Sequence, residues 1–309
     1  MEGLAAIGGG WRQGTVEIPG GTVRTGEWLP DGPARGTCVL VTGRSEFLEK
    51  YAEQAADWAA RGWRVVSWDW PGQGLSSRAL ANPQKGHIRD FGEYLDAAEA
   101  VLRAHDIGMD GRPVICFAHS MGAHVMTRFV AERPHPFRAL ILSAAMLGIE
   151  TGPFPEWLVP ALARAGAALG LAERYAPGQI DYREEAHRFE GNVLTSDPRR
   201  FRVYIEAYRN NPCLILGGAT FGWLDAAYRS IRALWRAPLE RVDIPVLILS
   251  AGGDRVVRSA LHARLARRLP DAVHKTYPPA EHELMMERDE IRDRVWADVD
   301  AFLAERVGH

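Results

Sequence analysis

Ser120 lies in a pattern typical of a nucleophilic serine. The stretch "FAHSMG" (117–122) follows the apolar run "PVIC" (113–116) and leads into a helical pattern. A strand–turn–helix that exposes a serine brings together the residues two before and two after it, so both must be small. Ala118 and Gly122 meet this requirement, although the usual first residue is glycine. The alternative is that Ser120 merely caps the helix, so partners are needed to decide.

The partners of a nucleophilic serine are a base and a carboxylate that orients the base. Asp254 lies in "LILSAGGDRVV", just past an apolar run, and His282 lies in "YPPAEHELMME", after the last predicted strand. Loops at the carboxyl ends of parallel strands meet at one edge of a sheet. The sequence therefore predicts a catalytic triad of Ser120, Asp254 and His282.

Other titratable residues fit these roles less well. His119 adjoins the serine, and on a sharp turn its side chain should point elsewhere. His124 and His262 lie within predicted helices, and His274 lies within a predicted strand. Asp243 precedes its strand and so lies at the wrong edge of the sheet.

Acyl transfer also requires hydrogen-bond donors for the oxyanion that develops on the carbonyl. We expect one donor to be the backbone N–H of Met121, which follows the nucleophile. The second should come from the loop "TGRSEF" after the strand at 37–43. Arg44 is the candidate there, through its backbone N–H rather than its side chain.

The elements that must position these residues alternate along the chain. Uniformly apolar runs predict strands that are buried on both faces, and intervening runs with helical spacing predict helices that cover them. The pattern indicates a mostly parallel, doubly wound α/β sheet with an antiparallel hairpin (14–28) at its edge. The predicted strands are 37–43, 63–70, 113–118, 139–144, 245–251 and 272–277. The predicted helices are 47–60, 91–105, 121–132, 257–269 and 287–306.

The alternation stops between residues 150 and 237. This stretch is rich in proline and bulky aromatic residues and contains no convincing buried strand. We interpret it as a helical cap inserted over the carboxyl edge of the sheet, with residues 1–149 and 238–309 forming the core. Its aromatic residues are candidates for contacts with an apolar substrate, although they must also pack the cap itself. The candidates are Phe154, Trp157, Phe221 and Trp223.

The composition excludes several functions. The 309 residues are 47% hydrophobic, carry a net charge of −2 and include no long basic run, so a nucleic-acid partner is not expected. No CxxC or HExxH spacing suggests a metal site, and no cofactor is predicted. Three scattered cysteines are typical of a reducing compartment.

Membrane-targeting signals are also missing from the sequence. Residues 1–10 lack the features of a secretory signal, and no run reaches the roughly 18 apolar residues of a membrane-spanning helix. We therefore predict a cytoplasmic protein. The apolar segment 157–171, interrupted by Arg164, either packs within the cap or contacts the inner face of the membrane peripherally.

Together these motifs resemble α/β-hydrolases of the monoglyceride lipase and bacterial lysophospholipase group. The resemblance covers nearly the whole chain and rests on "VTGRSEFLEKYAEQAADWAARGWRVVSWDWPGQGLSSR" (41–78), "HIRDFGEYLDA", "AHSMG", "GGDRVV" and "AEHEL". The order of serine, aspartate and histidine is also that of this fold. "GRSEFLEKY" and "TFGWLDAAYRS" are most similar to the lysophospholipase branch, because Thr42 and Gly43 replace the His-Gly of the lipases.

The resemblance implies a serine hydrolase that cleaves the ester of a single-chain acyl lipid, such as a lysophospholipid, without a cofactor. The same triad would also serve a monoacylglycerol lipase, a short-chain carboxylesterase, a thioesterase or an acyltransferase. A peptidase is a weaker alternative, because no acidic clamp for a substrate amine is evident. A non-catalytic binding protein on this fold usually lacks a triad member, whereas this chain retains all three.

Overall fold

The computed structural model describes residues 10–308, and an eight-stranded sheet forms its centre. Residues 1–9, on which most of the prediction about a secretory signal rests, lie outside the described part. The strands are β1 (Arg12–Ile18), β2 (Gly21–Trp28), β3 (Gly36–Val41), β4 (Trp63–Trp68), β5 (Val114–His119), β6 (Ala139–Ser143), β7 (Val246–Ala251) and β8 (Ala272–Tyr277).

The strands are ordered β1-β2-β4-β3-β5-β6-β7-β8 across the sheet. All neighbours from β4 to β8 run parallel, whereas β1 pairs with β2, and β2 with β4, in antiparallel register. The predicted mostly parallel sheet with an edge hairpin is therefore confirmed.

Helices cover both faces of this sheet. The sequence of β3 is uniformly apolar because both of its faces are buried: Val39 and Val41 belong to one hydrophobic core, and Cys38 and Leu40 belong to a second core on the other face. The sheet is therefore doubly wound, as predicted. The helices are α1 (Ala52–Ala60), α2 (Gly92–Ala104), α3 (Ser120–Glu132), α4 (Leu158–Gly166), α5 (Pro198–Asn210), α6 (Phe221–Arg236), α7 (Ala260–Ala266) and α8 (Asp289–Arg306).

Two helices are shorter than the sequence predicts. The helix expected at 47–60 begins with a 3-10 turn (Leu48–Tyr51), and the backbone N–H of Leu48 donates to Asp69 at 3.0 Å. The helix expected at 257–269 covers only Ala260–Ala266. Immediately before it, the backbone N–H of Val257 donates to the Asp254 carboxylate instead.

Residues 150–237, all of which are described, contain α4, α5 and α6 and no strand longer than an isolated bridge. Backbone hydrogen bonds tie this segment to the loop that follows β4. Gly86 donates to Gly218 at 2.9 Å, and Thr220 donates back to Gly86 at 2.9 Å. Among the described residues, no helix combines the length and the apolar character that crossing a bilayer requires.

Candidate active site

Ser120 sits on a sharp turn between β5 and α3. It is the first residue of α3, and its φ of 51° lies in the left-handed region, which costs energy for a residue with a side chain. A Cβ atom at Gly122 would lie 2.3 Å from the carbonyl oxygen of Thr42, so only glycine fits there. Ala118 is fully buried in β5. The turn therefore has the small neighbours that the sequence indicated.

The structure brings the three predicted triad residues together. His282 Nε2 lies 2.9 Å from Ser120 Oγ, and His282 Nδ1 lies 2.7 Å from Asp254 Oδ2. Asp254 follows β7, and His282 follows β8. The serine, the imidazole and the carboxylate thus form one continuous chain of hydrogen bonds.

Asp254 is held as an anion. Burial alone would raise its pKa, but the hydrogen bond and charge of His282 outweigh burial and lower the pKa below its ordinary value. The backbone N–H groups of Val256 and Val257 contribute by donating to Oδ1 at 2.8 and 2.9 Å. An ionised carboxylate in this position fixes the tautomer in which His282 Nε2 faces the serine.

The two candidate oxyanion donors line the cavity at Ser120. Met121 follows it in the first turn of α3, and Arg44 comes from the loop after β3. That loop is held on both sides of Arg44, because the N–H of Gly43 donates to Glu46 and the N–H of Ser45 donates to Gln73.

A cleft with two lobes surrounds the serine. One cavity of about 410 Å³ includes Ser120 and His282, and we call it the apolar lobe. A second cavity of about 400 Å³, the polar lobe, shares Arg44 and Glu283 with it. Side chains that line the apolar lobe include Met146, Ile149, Phe154, Trp223, Leu224 and Val257. Those that line the polar lobe include Lys50, Asp181, Tyr182, Arg183, Tyr204 and Tyr208.

Two of the four aromatic residues predicted to contact substrate reach this cleft. Phe154 and Trp223 line the apolar lobe. Trp157 does not, because it is 69% exposed on the outside of the segment. Phe221 does not either, because its ring packs directly against Gly166 of α4. The sequence showed that aromatic residues are frequent here but not which way each one faces.

Three histidines that the sequence offered as alternative bases have hydrogen-bond partners away from Ser120. His124 Nε2 lies 2.6 Å from Ser230 Oγ. His262 and His274 both lie against Ser250 Oγ, at 2.6 and 2.7 Å. None of these three contacts involves Ser120.

A buried charge cluster beside the serine was not anticipated from the sequence. Lys50 Nζ bridges Glu46 and Glu283 at 2.8 and 2.6 Å, and Tyr51 donates to Glu46 at 2.6 Å. Burial opposes ionisation of Glu46, but the charge of Lys50 holds its pKa at about 2. Burial lowers the pKa of the neighbouring His119 to about 4, so that imidazole is neutral at neutral pH. The only sequence signal was the four-residue spacing of Glu46 and Lys50.

Within residues 10–308, Glu46, His119 and Glu283 are the one set of side chains close enough together to hold a metal ion. The ammonium group of Lys50 already binds both carboxylates. Its Nζ therefore occupies the place between the two carboxylates that a metal ion would take, so these residues do not fit a metal site.

Comparisons with known proteins agree with this geometry. Residues 32–289 match the family described as "Serine aminopeptidase, S33". The chain is 32% identical over 275 residues to a probable lysophospholipase L2 of Haemophilus influenzae, covering 89% of this chain and 85% of that protein. It is 25% identical to the human monoglyceride lipase, covering 91% and 86% of the two chains.

The fold is also shared with solved structures. A soluble variant of monoglyceride lipase from Saccharomyces cerevisiae superimposes with a TM-score of 0.78 at 17% identity, over 96% of each chain. The predicted α/β-hydrolase fold is therefore confirmed. The chain belongs to the serine aminopeptidase S33 family and, within it, to the carboxylic ester hydrolases of the monoglyceride lipase and bacterial lysophospholipase group.

Proposed function

We propose that this chain hydrolyses the carboxylic ester of a single-chain acyl lipid, a lysophospholipid in the first instance, through an acyl-enzyme on Ser120. The observation that carries the proposal is the hydrogen-bonded chain from Ser120 through His282 to Asp254 at the floor of a cleft with one apolar and one polar lobe. The relatives named lysophospholipase L2 support the choice of substrate.

In the first half of the reaction, His282 Nε2 takes the proton of Ser120 Oγ as that oxygen attacks the ester carbonyl. Asp254 stabilises the imidazolium that forms. The backbone N–H groups of Met121 and Arg44 bind the oxyanion. The tetrahedral intermediate collapses when its carbon–oxygen bond to the alcohol breaks, and His282 returns the proton to the departing alcohol.

In the second half, a water molecule enters the position left by the alcohol. His282 removes a proton from this water as its oxygen attacks the acyl-enzyme carbonyl. The same two backbone donors stabilise the second oxyanion. Collapse breaks the bond to Ser120 Oγ, which recovers its proton from His282, and the fatty acid is released.

Residues 150–237 act in this proposal as a cap over residues 1–149 and 238–309. The apolar lobe, with Phe154 and Trp223 in its wall, accepts the acyl chain, because burying hydrocarbon there removes it from water. The polar lobe accepts the alcohol that leaves.

An aminopeptidase activity, which the family description names, fits the cleft less well. Such a reaction needs a free carboxylate to bind the substrate's ammonium group. Apart from Asp254, the buried carboxylates at the cavity of Ser120 are those of Glu46 and Glu283, and Lys50 already bridges them. A lipid ester needs no carboxylate here, because it carries no ammonium group next to the bond that reacts.

We also propose that the protein is cytoplasmic and contacts the inner surface of the membrane peripherally. Cys38 and Cys116 are buried thiols and Cys213 is an exposed one, which suits a reducing compartment. Several apolar side chains of the cap face solvent, Trp157 and Leu169 among them.

The test is fatty-acid release by purified protein from lysophosphatidylcholine and monoacylglycerol of equal chain length. We expect faster release from the lysophospholipid. In Ser120→Ala, release should fall on the order of 10⁵- to 10⁶-fold, as when a serine protease loses its nucleophile. Near-normal turnover by Ser120→Ala would contradict the proposed mechanism. A preference for monoacylglycerol, or activity on short esters only, would contradict the proposed substrate.

A further inference from the structure

Arg44 places a guanidinium group at the junction of the two lobes. Its side chain belongs to the wall of both cavities, directly beyond the backbone N–H that we assign to the oxyanion hole. The mechanism above uses only that backbone group. The charged end of the side chain therefore has no role yet.

The guanidinium is held in one place by its surroundings. It donates to the Gly217 carbonyl at 3.0 Å and to Ser45 Oγ at 3.2 Å, and it lies 4.9 Å from the centre of the Trp223 ring. A Cβ atom at Gly86 would come within 2.4 Å of its terminal nitrogen, so glycine at this position leaves it room. The group is thus positioned before any substrate arrives.

No carboxylate within residues 10–308 forms an ion pair with this guanidinium, whereas the buried Lys50 and Arg200 each contact several. A guanidinium has five N–H groups. Two of these have the acceptors just named, and the buried Nε–H has none. Burial lowers the pKa of Arg44, and only tyrosines offset that effect. Arg44 is partly buried, and charges withdrawn from water are normally paired, so its guanidinium can still bind an anion.

We propose that the Arg44 side chain binds the phosphodiester of the leaving headgroup and so selects lysophospholipids over monoacylglycerols. This inference rests on the proposed function. In a lysophospholipid, only the glycerol unit separates the ester that reacts from the phosphate. The planar fork of arginine matches two phosphate oxygens, and a neutral glycerol offers no such partner.

The orientation of substrate follows from the same residue. In this proposal the Arg44 backbone faces the reacting carbonyl, and its side chain lies where the two lobes meet, between Gly217 of the polar lobe and Trp223 of the apolar lobe. A phosphate held there would direct the acyl chain into the apolar lobe. Lys50 is not an equivalent site, because Glu46 and Glu283 already occupy it.

The test compares kcat/KM for lysophosphatidylcholine with kcat/KM for monoacylglycerol of the same chain length. Arg44→Met should lower the ratio of the two about 10- to 100-fold, chiefly through KM for the phospholipid, because a charge-assisted hydrogen bond is lost. Arg44→Lys should restore part of the ratio. Arg202→Met, an exposed arginine of α5 that lines neither lobe, should keep the wild-type ratio.

A second readout identifies the anion. Glycerophosphocholine should inhibit hydrolysis of a short p-nitrophenyl ester by the wild type, and the inhibition should weaken in Arg44→Met. Inorganic phosphate should inhibit less. Equal inhibition by both would show a general phosphate site and overturn the headgroup assignment.

The experiments distinguish a failure of this inference from a failure of the proposed function. If Arg44→Met lowers both activities equally, or leaves the ratio at the wild-type value, Arg44 only supports the loop and the inference is wrong while the proposed function stands. If the wild type releases fatty acid from neither lipid, the proposed function fails and takes this inference with it.

Discussion

His124 shows how a single buried side chain can link stability to pH. It lies in α3, four residues after Ser120, and is fully buried against Ser230. Burial and the nearby charge of Arg128 lower its pKa from 6.5 to about 3. Between these two pH values, His124 is protonated in the unfolded chain and neutral in the folded chain. Lowering the pH through this window therefore lowers the free energy of unfolding. Above pH 6.5 the imidazole is neutral in both states, and this destabilisation is absent.

Replacing this imidazole should reduce the pH dependence. In His124→Gln, we expect the free energy of unfolding to fall less steeply between pH 6 and pH 4, by up to about 1.4 kcal/mol per pH unit relative to the wild type. Denaturant titrations at several pH values measure both slopes. Parallel curves for the two proteins would mean that His124 titrates alike in the folded and unfolded chains.

At the same scale, the sequence predicted some site residues and missed others for a physical reason. Ser120 could be found because its turn demands small neighbours within two residues, and the structure brings Asp254 and His282 to it as expected. The partnership of Lys50 with Glu283 joins residues 233 positions apart, and no periodic pattern marks it. The side chain of Arg44 was missed because its significance lies in the absence of a carboxylate, which only the folded chain shows.

Among elements, the buried strands were the most predictable. Their runs are uniformly apolar because helices cover both faces of the sheet, and the fully buried β6 and β7 each differ from the predicted bounds by one residue. Helix ends were less predictable, because side chains distant in sequence accept hydrogen bonds from backbone N–H groups there, as Asp69 does from Leu48. For residues 150–237, the missing buried strands and the many prolines and aromatic residues indicated a helical segment, but they did not indicate its contacts.

Helix α5 is fastened to the rest of the chain by Arg200. This buried side chain donates twice to Glu53 of α1, at 2.7 and 2.9 Å, and also reaches Asp289 of α8 at 2.6 Å. Tyr204 and Tyr208 of the same helix form part of the polar lobe. The position of that wall therefore depends on a charged contact between three helices.

Arg200→Met should loosen α5. Glu53 and Asp289 are partly exposed, so water can solvate them, and we expect a loss of about 1–3 kcal/mol in the free energy of unfolding. Hydrogen exchange should increase within Pro198–Asn210. The matched control is Arg199→Met, because Arg199 is 64% exposed and its closest carboxylate lies 3.6 Å away. If Arg199→Met changed the free energy of unfolding and the hydrogen exchange as much as Arg200→Met, the buried contacts of Arg200 would not stabilise α5.

At the scale of the whole molecule, the proposed cap (150–237) carries several exposed apolar side chains. Phe154, Trp157, Leu162, Leu169 and Ile180 are all more than 45% exposed, and all lie within 27 consecutive residues of the cap. Phe154 also lines the apolar lobe. Exposed apolar clusters usually mark an interaction surface. A lipid surface beside the entrance would let a substrate pass from the bilayer to Ser120 without crossing water.

The double substitution Trp157→Ser with Leu169→Ser tests this contact, since neither residue lines a lobe. Co-sedimentation with vesicles of phosphatidylethanolamine and phosphatidylglycerol should fall about tenfold or more, because each side chain contributes roughly 1.5–3 kcal/mol when fully removed from water. Hydrolysis of a water-soluble short ester should persist, whereas release from vesicle-bound lysophospholipid should slow. The control is Met109→Ser, which is 80% exposed and precedes β5 at the opposite edge of the sheet from Ser120. If both proteins lost binding equally, or neither did, the cap would not be the membrane-facing surface, and substrate would have to reach the cleft as a soluble monomer.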